Sequence, residues 1–294
     1  MTVDPHTPAT LADQIRQRLR FEQKFGITSI RRRPERFAAA VAAAPPPAAE
    51  AQVQAPPHAD EHIADEAPAP VAASSPARSR DEVMAELDRI REQVAVCERC
   101  PALVRGRNKT VFSDGSPFTP LMFIGEAPGA DEDRQGVPFV GAAGQKLTEI
   151  IERGLGVAAK KLLGLDAAPT VPRQSVYIAN VLKCRPPMNR DPLPDEVDAC
   201  RDYLAQQIQL VHPTVIIALG LPAARRLLGL DLPMARMRGK RYPLPEMPDI
   251  TVVPTYHPSY LLRSYTMDNR KRVMDDITEA MAALHEAGKL PWWD

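Results

Sequence analysis

The sequence predicts an α/β fold, a three-layer αβα sandwich with a central four-stranded, mostly parallel sheet. Three observations support this prediction. Four short apolar segments alternate with helical patterns along residues 81–294. Three of these segments are almost continuously apolar, which is typical of strands covered by helices on both faces. Residues 38–80, in contrast, contain almost no large apolar side chains, so the fold is preceded by a disordered region rich in alanine and proline.

The first 80 residues divide into two parts. In residues 1–37, Leu11, Ile15 and Leu19 recur at helical spacing and predict a short amphipathic helix. This helix would either bind an unknown protein partner or pack loosely on the folded domain, and the sequence leaves both interpretations open. Residues 38–80 bury too little apolar surface to offset the entropy lost on ordering, so we expect a disordered linker.

A single folded domain is predicted over residues 81–294. Its predicted strands are LMFIGE (121–126), SVYIANVLK (175–183), TVIIALG (214–220) and ITVVPTYHP (250–258). Helical patterns occupy residues 79–96, 142–156, 194–211, 221–230 and 269–288. Because strands and helices alternate, we expect a parallel sheet with helices on both sides. Ligands of such folds bind at the carboxyl ends of the strands.

Composition excludes some function classes. The formal net charge is zero, so no overall field favours nucleic acid or a membrane surface. No apolar run approaches the roughly 18 residues that span a bilayer, and the first twenty residues lack a secretory apolar core. We therefore expect a cytoplasmic protein, most simply a monomer, whose thiols stay reduced.

The chain has four cysteines, which are Cys97, Cys100, Cys184 and Cys200. The first two form a CxxC motif, while the other two are separated by 15 residues. A zinc ribbon usually repeats the tight spacing in both halves, whereas an iron–sulfur cluster accepts thiolates from more scattered positions. Spacing alone favours a cluster only modestly. A redox CxxC with two buried core cysteines, or four unrelated thiols, are the alternatives.

Three side chains have the chemistry to bind a planar base. Phe139 lies in the glycine-rich segment GEAPGADEDRQGVPFVGAAGQ (125–145) and is either a stacking floor or a core residue. Asn180 offers an acceptor beside a donor, which suits the edge of uracil, or it bonds a neighbouring loop. His257 can donate to an oxygen that gains charge, although a lone histidine is more often structural.

These motifs together resemble the iron–sulfur uracil-DNA glycosylases of family four. The resemblance is carried by CxxC, by GEAPGADEDRQGVPFVGAAGQ, by NVLKCRPPMNRDP, by a fourth cysteine and by HPSYLL, in matching order and spacing. It covers about residues 90–285. It implies an enzyme that flips uracil out of single- or double-stranded DNA and hydrolyses its N-glycosidic bond, starting base-excision repair.

The resemblance also implies site residues. The four cysteines would ligate one structural [4Fe-4S] cluster. Phe139 would stack on uracil, Asn180 would read its pairing edge, Glu132 would reject thymine, and His257 would bond O2 as the glycosidic bond breaks. Glu126 and the backbone at Ala127 would hold the attacking water. DNA-contact candidates are Arg185, Arg190, Tyr260, Leu261 and Arg263.

Ala127 replaces an aspartate that many other uracil glycosylases have at this turn. Bond breaking would therefore come first, and water would capture the sugar cation later. Two other functions stay open at this point. One is a non-catalytic module that binds uracil or single-stranded DNA, and the other is a zinc-stabilised α/β hydrolase of a different substrate.

Overall fold

The computed structural model describes residues 78–293, and the predicted N-terminal helix and nearly all of the linker lie outside this range. The strands are β1 (Asp114–Gly115), β2 (Leu121–Gly125), β3 (Tyr177–Asn180), β4 (Val215–Leu219), β5 (Tyr242–Leu244) and β6 (Met247–Thr255). They form one sheet in the order β1-β3-β2-β4-β6-β5. The four central strands are parallel, which confirms the α/β prediction.

The predicted number of four strands is wrong, because the sheet has six. The two additional strands, β1 and β5, pair antiparallel at the edges of the sheet. They are only two and three residues long, and most of their side chains are partly or fully exposed. An edge strand of this kind has no continuous apolar run that a sequence pattern could reveal.

Helices cover both faces of the sheet. They are α1 (Arg80–Ala95), α2 (Pro101–Gly106), α3 (Ala130–Gln135), α4 (Ala142–Glu149), α5 (Gly156–Leu163), α6 (Pro194–Val211), α7 (Leu221–Leu228), α8 (Met234–Met237), α9 (Pro258–Arg263) and α10 (Met267–Glu286). A π-helical turn, Ile150–Leu155, joins α4 to α5. No helix among these is long and apolar enough to cross a membrane.

Alternation along β4 divides the interior into two cores. Val215 and Ile217 pack into the core that α4, α5 and α10 cover. Ile216 and Ala218 point the other way, into the core beneath α6, α7 and α8. Since both faces of the strand are buried, the whole segment is apolar, as its sequence indicates.

Helix α1 begins at a capping box. The backbone N–H of Glu82 donates to Ser79 Oγ (3.2 Å), and the N–H of Ser79 donates back to a Glu82 carboxylate oxygen (2.7 Å). Its buried face, at helical spacing, consists of Val83, Leu87, Ile90 and Val94. This face packs near Leu210 of α6, so the CxxC motif that follows α1 is placed beside that helix.

Candidate active site

A cavity of about 660 Å³ opens at the carboxyl ends of the parallel strands. Each central strand contributes to its lining, with Glu126 after β2, Asn180 ending β3, Gly220 after β4 and His257 after β6. All six residues predicted to bind uracil or the attacking water meet here, and they are Glu126, Ala127, Glu132, Phe139, Asn180 and His257. This position is where parallel α/β sheets bind ligands.

Asn180 is 2% exposed, and its Oδ1 has no hydrogen-bond partner. An unpaired polar atom at this depth is costly, and it leaves one acceptor in the cavity open to a donor group of a ligand. Gly125 of β2 pairs in register with Asn180. A Cβ at Gly125 would lie 2.4 Å from Asn180 Oδ1 and 2.5 Å from Phe139 Cζ. Only glycine at this position lets the amide and the ring both face the cavity.

Phe139 adopts a left-handed backbone conformation, with φ of 54°. Such a conformation is strained for a bulky residue, and residues of this kind cluster at functional sites. Gly144 lies directly against the backbone of Phe139, because a Cβ at Gly144 would be only 1.9 Å from the Phe139 carbonyl oxygen. The ring of Phe139 lies 5.7 Å from that of His257, centroid to centroid.

Glu132 accepts three backbone hydrogen bonds. Its Oε1 accepts from the N–H groups of Val140 and Gly141 (2.9 Å each), and its Oε2 accepts from the N–H of Gly129 (3.1 Å). The carboxylate therefore fixes the segment that follows Phe139. Gly129 is the N-cap of α3, and its N–H donates to Glu132 in the first turn, which is the half of a capping box that a glycine N-cap allows.

His257 is held as a neutral donor. The N–H of Ser259 donates to His257 Nδ1 (3.2 Å), and the Ser259 hydroxyl lies 2.8 Å from the same nitrogen. Nδ1 is thus an acceptor, which places the ring proton on Nε2. Burial lowers the pKa of His257 to about 4, and the positive charge of Arg263 adds to this effect. Glu132 opposes the shift more weakly.

Glu126 is a second unsatisfied group. Its Oε1 is buried without a hydrogen-bond partner. Burial raises the pKa of Glu126 to about 6, and the negative charge of Asp191 raises it further. Asp191 also lines the cavity, although it was not among the residues predicted from the sequence, because nothing in the loop PPMNRDP indicates which side chain turns inward.

The structure places the candidate DNA contacts in different environments. Tyr260 and Arg263 line the cavity. Leu261 is 3% exposed and packs in the core, so its side chain is not available to contact DNA, whereas the next residue, Leu262, is 46% exposed. Six residues of helix are too few for a sequence pattern to tell which of two adjacent leucines points inward.

Arg190 and Arg185 are engaged within the protein. The Arg190 guanidinium binds both oxygens of Glu196 (2.8 and 2.6 Å), a carboxylate that is almost fully buried. Arg185 donates to Asn189 Oδ1 (2.7 Å). Both arginines therefore fix the loop after β3.

All four cysteines line one small cavity between α1, α2, the end of β3 and α6. Arg107 donates to Cys184 Sγ (3.1 Å), and the N–H of Lys183 donates to Cys200 Sγ (3.3 Å). Burial raises the pKa of Cys184 and Cys200. Within residues 78–293, no three His, Cys, Asp or Glu side chains are close enough to hold a single metal ion. Four thiols around one cavity match the donor set of an iron–sulfur cluster.

Lys183 lies between this cysteine-lined cavity and the larger cavity at the strand ends, and it was not predicted from the sequence. It is 1% exposed, and its Nζ donates to the carbonyl oxygen of Asn180 (2.8 Å) and to Gln207. Burial lowers its pKa to about 8. A lysine in an apolar strand segment gives no sequence signal for these long-range partners.

Comparison with known proteins identifies the family. The model of the uracil DNA glycosylase superfamily matches residues 112–282. The type-4 uracil-DNA glycosylase of Thermotoga maritima is 38% identical over 211 residues, which cover 71% of this chain and 99% of that protein. The type-4 enzyme of Sulfurisphaera tokodaii is 40% identical over 199 residues, 66% of this chain and 83% of its own. The type-4 enzyme of Archaeoglobus fulgidus is 40% identical over 184 residues, which cover 61% of this chain and 84% of that protein. The chain therefore belongs to the uracil DNA glycosylase superfamily and, within it, to the type-4 uracil-DNA glycosylases.

Proposed function

We propose that this chain hydrolyses the N-glycosidic bond of deoxyuridine in DNA and releases uracil, with the site residues acting as follows. One observation carries the proposal. A buried amide oxygen without a partner, on Asn180, faces the same cavity as a neutral histidine and an aromatic ring, Phe139, whose backbone is left-handed. An everted pyrimidine supplies the missing donor and a flat face together.

Asn180 and Phe139 would read the base. Uracil N3–H donates to Asn180 Oδ1, and the amide nitrogen donates to the neighbouring carbonyl O4. Cytosine presents an acceptor at N3 and a donor at the adjacent position, so it would leave both groups of Asn180 mismatched. Phe139 stacks on the uracil ring. Its left-handed backbone and its close contact with Gly144 fix the position of the phenyl ring in the cavity wall.

His257 would stabilise the departing base. As the bond to the sugar breaks, negative charge develops on uracil O2, and the Nε2–H of the neutral ring donates to it. With a pKa of about 4, the imidazole is neutral at pH 7 and donates without supplying a full positive charge. Ser259 holds the tautomer in place through Nδ1.

Glu126 would hold the attacking water through its unpaired Oε1. A pKa of about 6 leaves this carboxylate mostly ionised at pH 7 and still basic enough to accept a proton. Ala127 supplies no carboxylate beside it. The order of events we infer is therefore cleavage first, followed by capture of the sugar cation by this water.

Glu132 would form the wall that rejects thymine. Three backbone hydrogen bonds hold its carboxylate rigidly at the cavity lining, so it cannot move aside for a 5-methyl group. The same bonds hold the segment after Phe139. Selectivity and the position of the stacking ring would thus depend on one side chain.

The four cysteines would ligate a [4Fe-4S] cluster. Such a group would join separate parts of the fold, because its ligands come from the segment after α1, the loop after β3 and α6. Analysis of iron and sulfide content, together with absorbance at about 400 nm, distinguishes an iron–sulfur cluster from a zinc ion, which is colourless. Cys200→Ser is expected to lower iron content and absorbance together. A colourless protein with one zinc per chain would refute the cluster.

Uracil release from a defined oligonucleotide tests the function. The chain is expected to release free uracil and leave an alkali-labile abasic site from DNA with one uracil, but not from matched strands with thymine or cytosine. His257→Ala is expected to slow release by about 10²-fold or more, since it removes a donor to the developing oxyanion. Binding without release would instead indicate a uracil-binding module.

A further inference from the structure

The loop between β3 and α6 forms part of the rim of the substrate cavity. Four of its residues line that cavity, namely Pro186, Asn189, Arg190 and Asp191. Between the first two lie Pro187 and Met188, and the segment Pro187–Asn189 forms a 3₁₀ turn. Whatever side chain stands at the apex of this turn is therefore beside the entrance through which a nucleotide must pass.

Met188 stands there in an unfavourable state. Its side chain is 92% exposed, and its backbone is left-handed, with φ of 56° and ψ of 20°. Asn189 follows with φ of 55°. Asparagine tolerates this region, but methionine does so rarely, and glycine would be preferred. The chain thus places a large apolar side chain in water at a position that suits a glycine, and packing within residues 78–293 does not compensate for it.

The loop is braced so that Met188 is presented rigidly. Arg190 binds the buried Glu196 through two hydrogen bonds, and Arg185 binds Asn189. The N–H of Arg190 also donates to the Pro187 carbonyl oxygen (3.1 Å). A side chain on a fixed turn loses little backbone entropy when a partner covers it.

We propose that Met188 is an apolar wedge that enters the DNA base stack next to the everted uracil. Eversion leaves a gap in a duplex, and inserted apolar side chains, methionine among them, keep such gaps from closing. Leu262 presents a second exposed apolar side chain from α9. The inference rests on the proposed function and extends it, since it assigns the β3–α6 loop a role on duplex DNA. On single-stranded DNA there is no paired stack to hold open, so the wedge contributes little.

Met188→Gly is the informative variant, because glycine suits the left-handed backbone and preserves the fold. Single-turnover uracil release is measured on one oligonucleotide, both single-stranded and paired with a complementary strand. We expect the duplex rate to fall about tenfold, equivalent to about 1.4 kcal/mol of transition-state stabilisation. The single-strand rate is expected to stay within about twofold, and the melting temperature is expected to stay equal or rise.

Met188→Leu keeps an apolar side chain at the same place and is expected to restore most of the duplex rate. Met267→Ala removes another exposed methionine, 75% exposed at the start of α10, and is expected to leave the ratio of duplex to single-strand rates unchanged. An unchanged ratio in Met188→Gly, or an equal fall on both substrates, would overturn the wedge. If the wild-type chain released no uracil from either substrate, the proposed function itself would fail.

Discussion

Gly125→Ala adds one methyl group at the most constrained point of the cavity. The new Cβ would lie 2.4 Å from Asn180 Oδ1 and 2.5 Å from Phe139 Cζ, where ordinary contact begins at 3.4 Å. The amide oxygen must therefore retreat by about 1.0 Å and the ring edge by about 0.9 Å. A displacement of about 1 Å in a substrate-positioning group reduces rate about 10²-fold. We expect the rate constant of uracil release to fall by about that factor, equivalent to about 2.7 kcal/mol.

Stability is expected to change little in this variant. Both contacts are to side chains that can shift, and alanine in a strand is favoured over glycine by roughly 0.5–1 kcal/mol. The melting temperature should stay within about 4 °C of the wild type. The assay is single-turnover uracil release with thermal unfolding measured in parallel. Gly106→Ala is the matched control, because its Cβ would meet only Pro187 Cγ at 3.8 Å. A Gly125→Ala variant that stays within threefold of the wild-type rate would refute the described cavity.

Two further predictions concern the carboxylates. The release rate should rise about tenfold per pH unit below pH 6 and level off above it, because Glu126, with a pKa raised to about 6, stabilises the positive charge that develops on the sugar only in its ionised form. Glu126→Gln should flatten this limb, and a rate that falls as pH rises through 6 would point to a protonated histidine instead. Glu132→Gln should lower the free energy of unfolding in urea by about 1–3 kcal/mol, since an amide cannot accept all three backbone hydrogen bonds. It should also slow release, and unchanged stability would contradict the positioning role.

The parallel core of the fold was predictable because its strands are buried on both faces. Segments such as TVIIALG are apolar at every position, and the alternation with helices fixes a parallel sheet. The edge strands were not predictable, since partial exposure removes the apolar pattern from β1 and β5. The meeting of Asn180 and His257 followed from their positions at strand ends. Phe139 comes from the segment between α3 and α4, and its place in the cavity depends on Gly125 and Gly144, whose close contacts join distant segments.

Other site features depend on backbone angles and long-range partners that a sequence does not display. The sequence alone gives no reason to single out Met188, whose φ of 56° and high exposure are known only from the structure. Lys183 reads as an interruption of an apolar strand, and its partners Asn180 and Gln207 are known only from the fold. Leu261 and Leu262 are chemically equivalent neighbours that the orientation of α9 separates into core and surface.

The direct test of the base-reading site is Asn180→Ala, assayed for uracil release in single turnover and for affinity to the same DNA. Because the buried amide oxygen has no partner within the protein, we expect its loss to slow release by about 10²-fold or more. DNA affinity should stay within about threefold, since phosphate contacts supply most of it. A variant that released uracil at close to the wild-type rate would show that this cavity does not read the base.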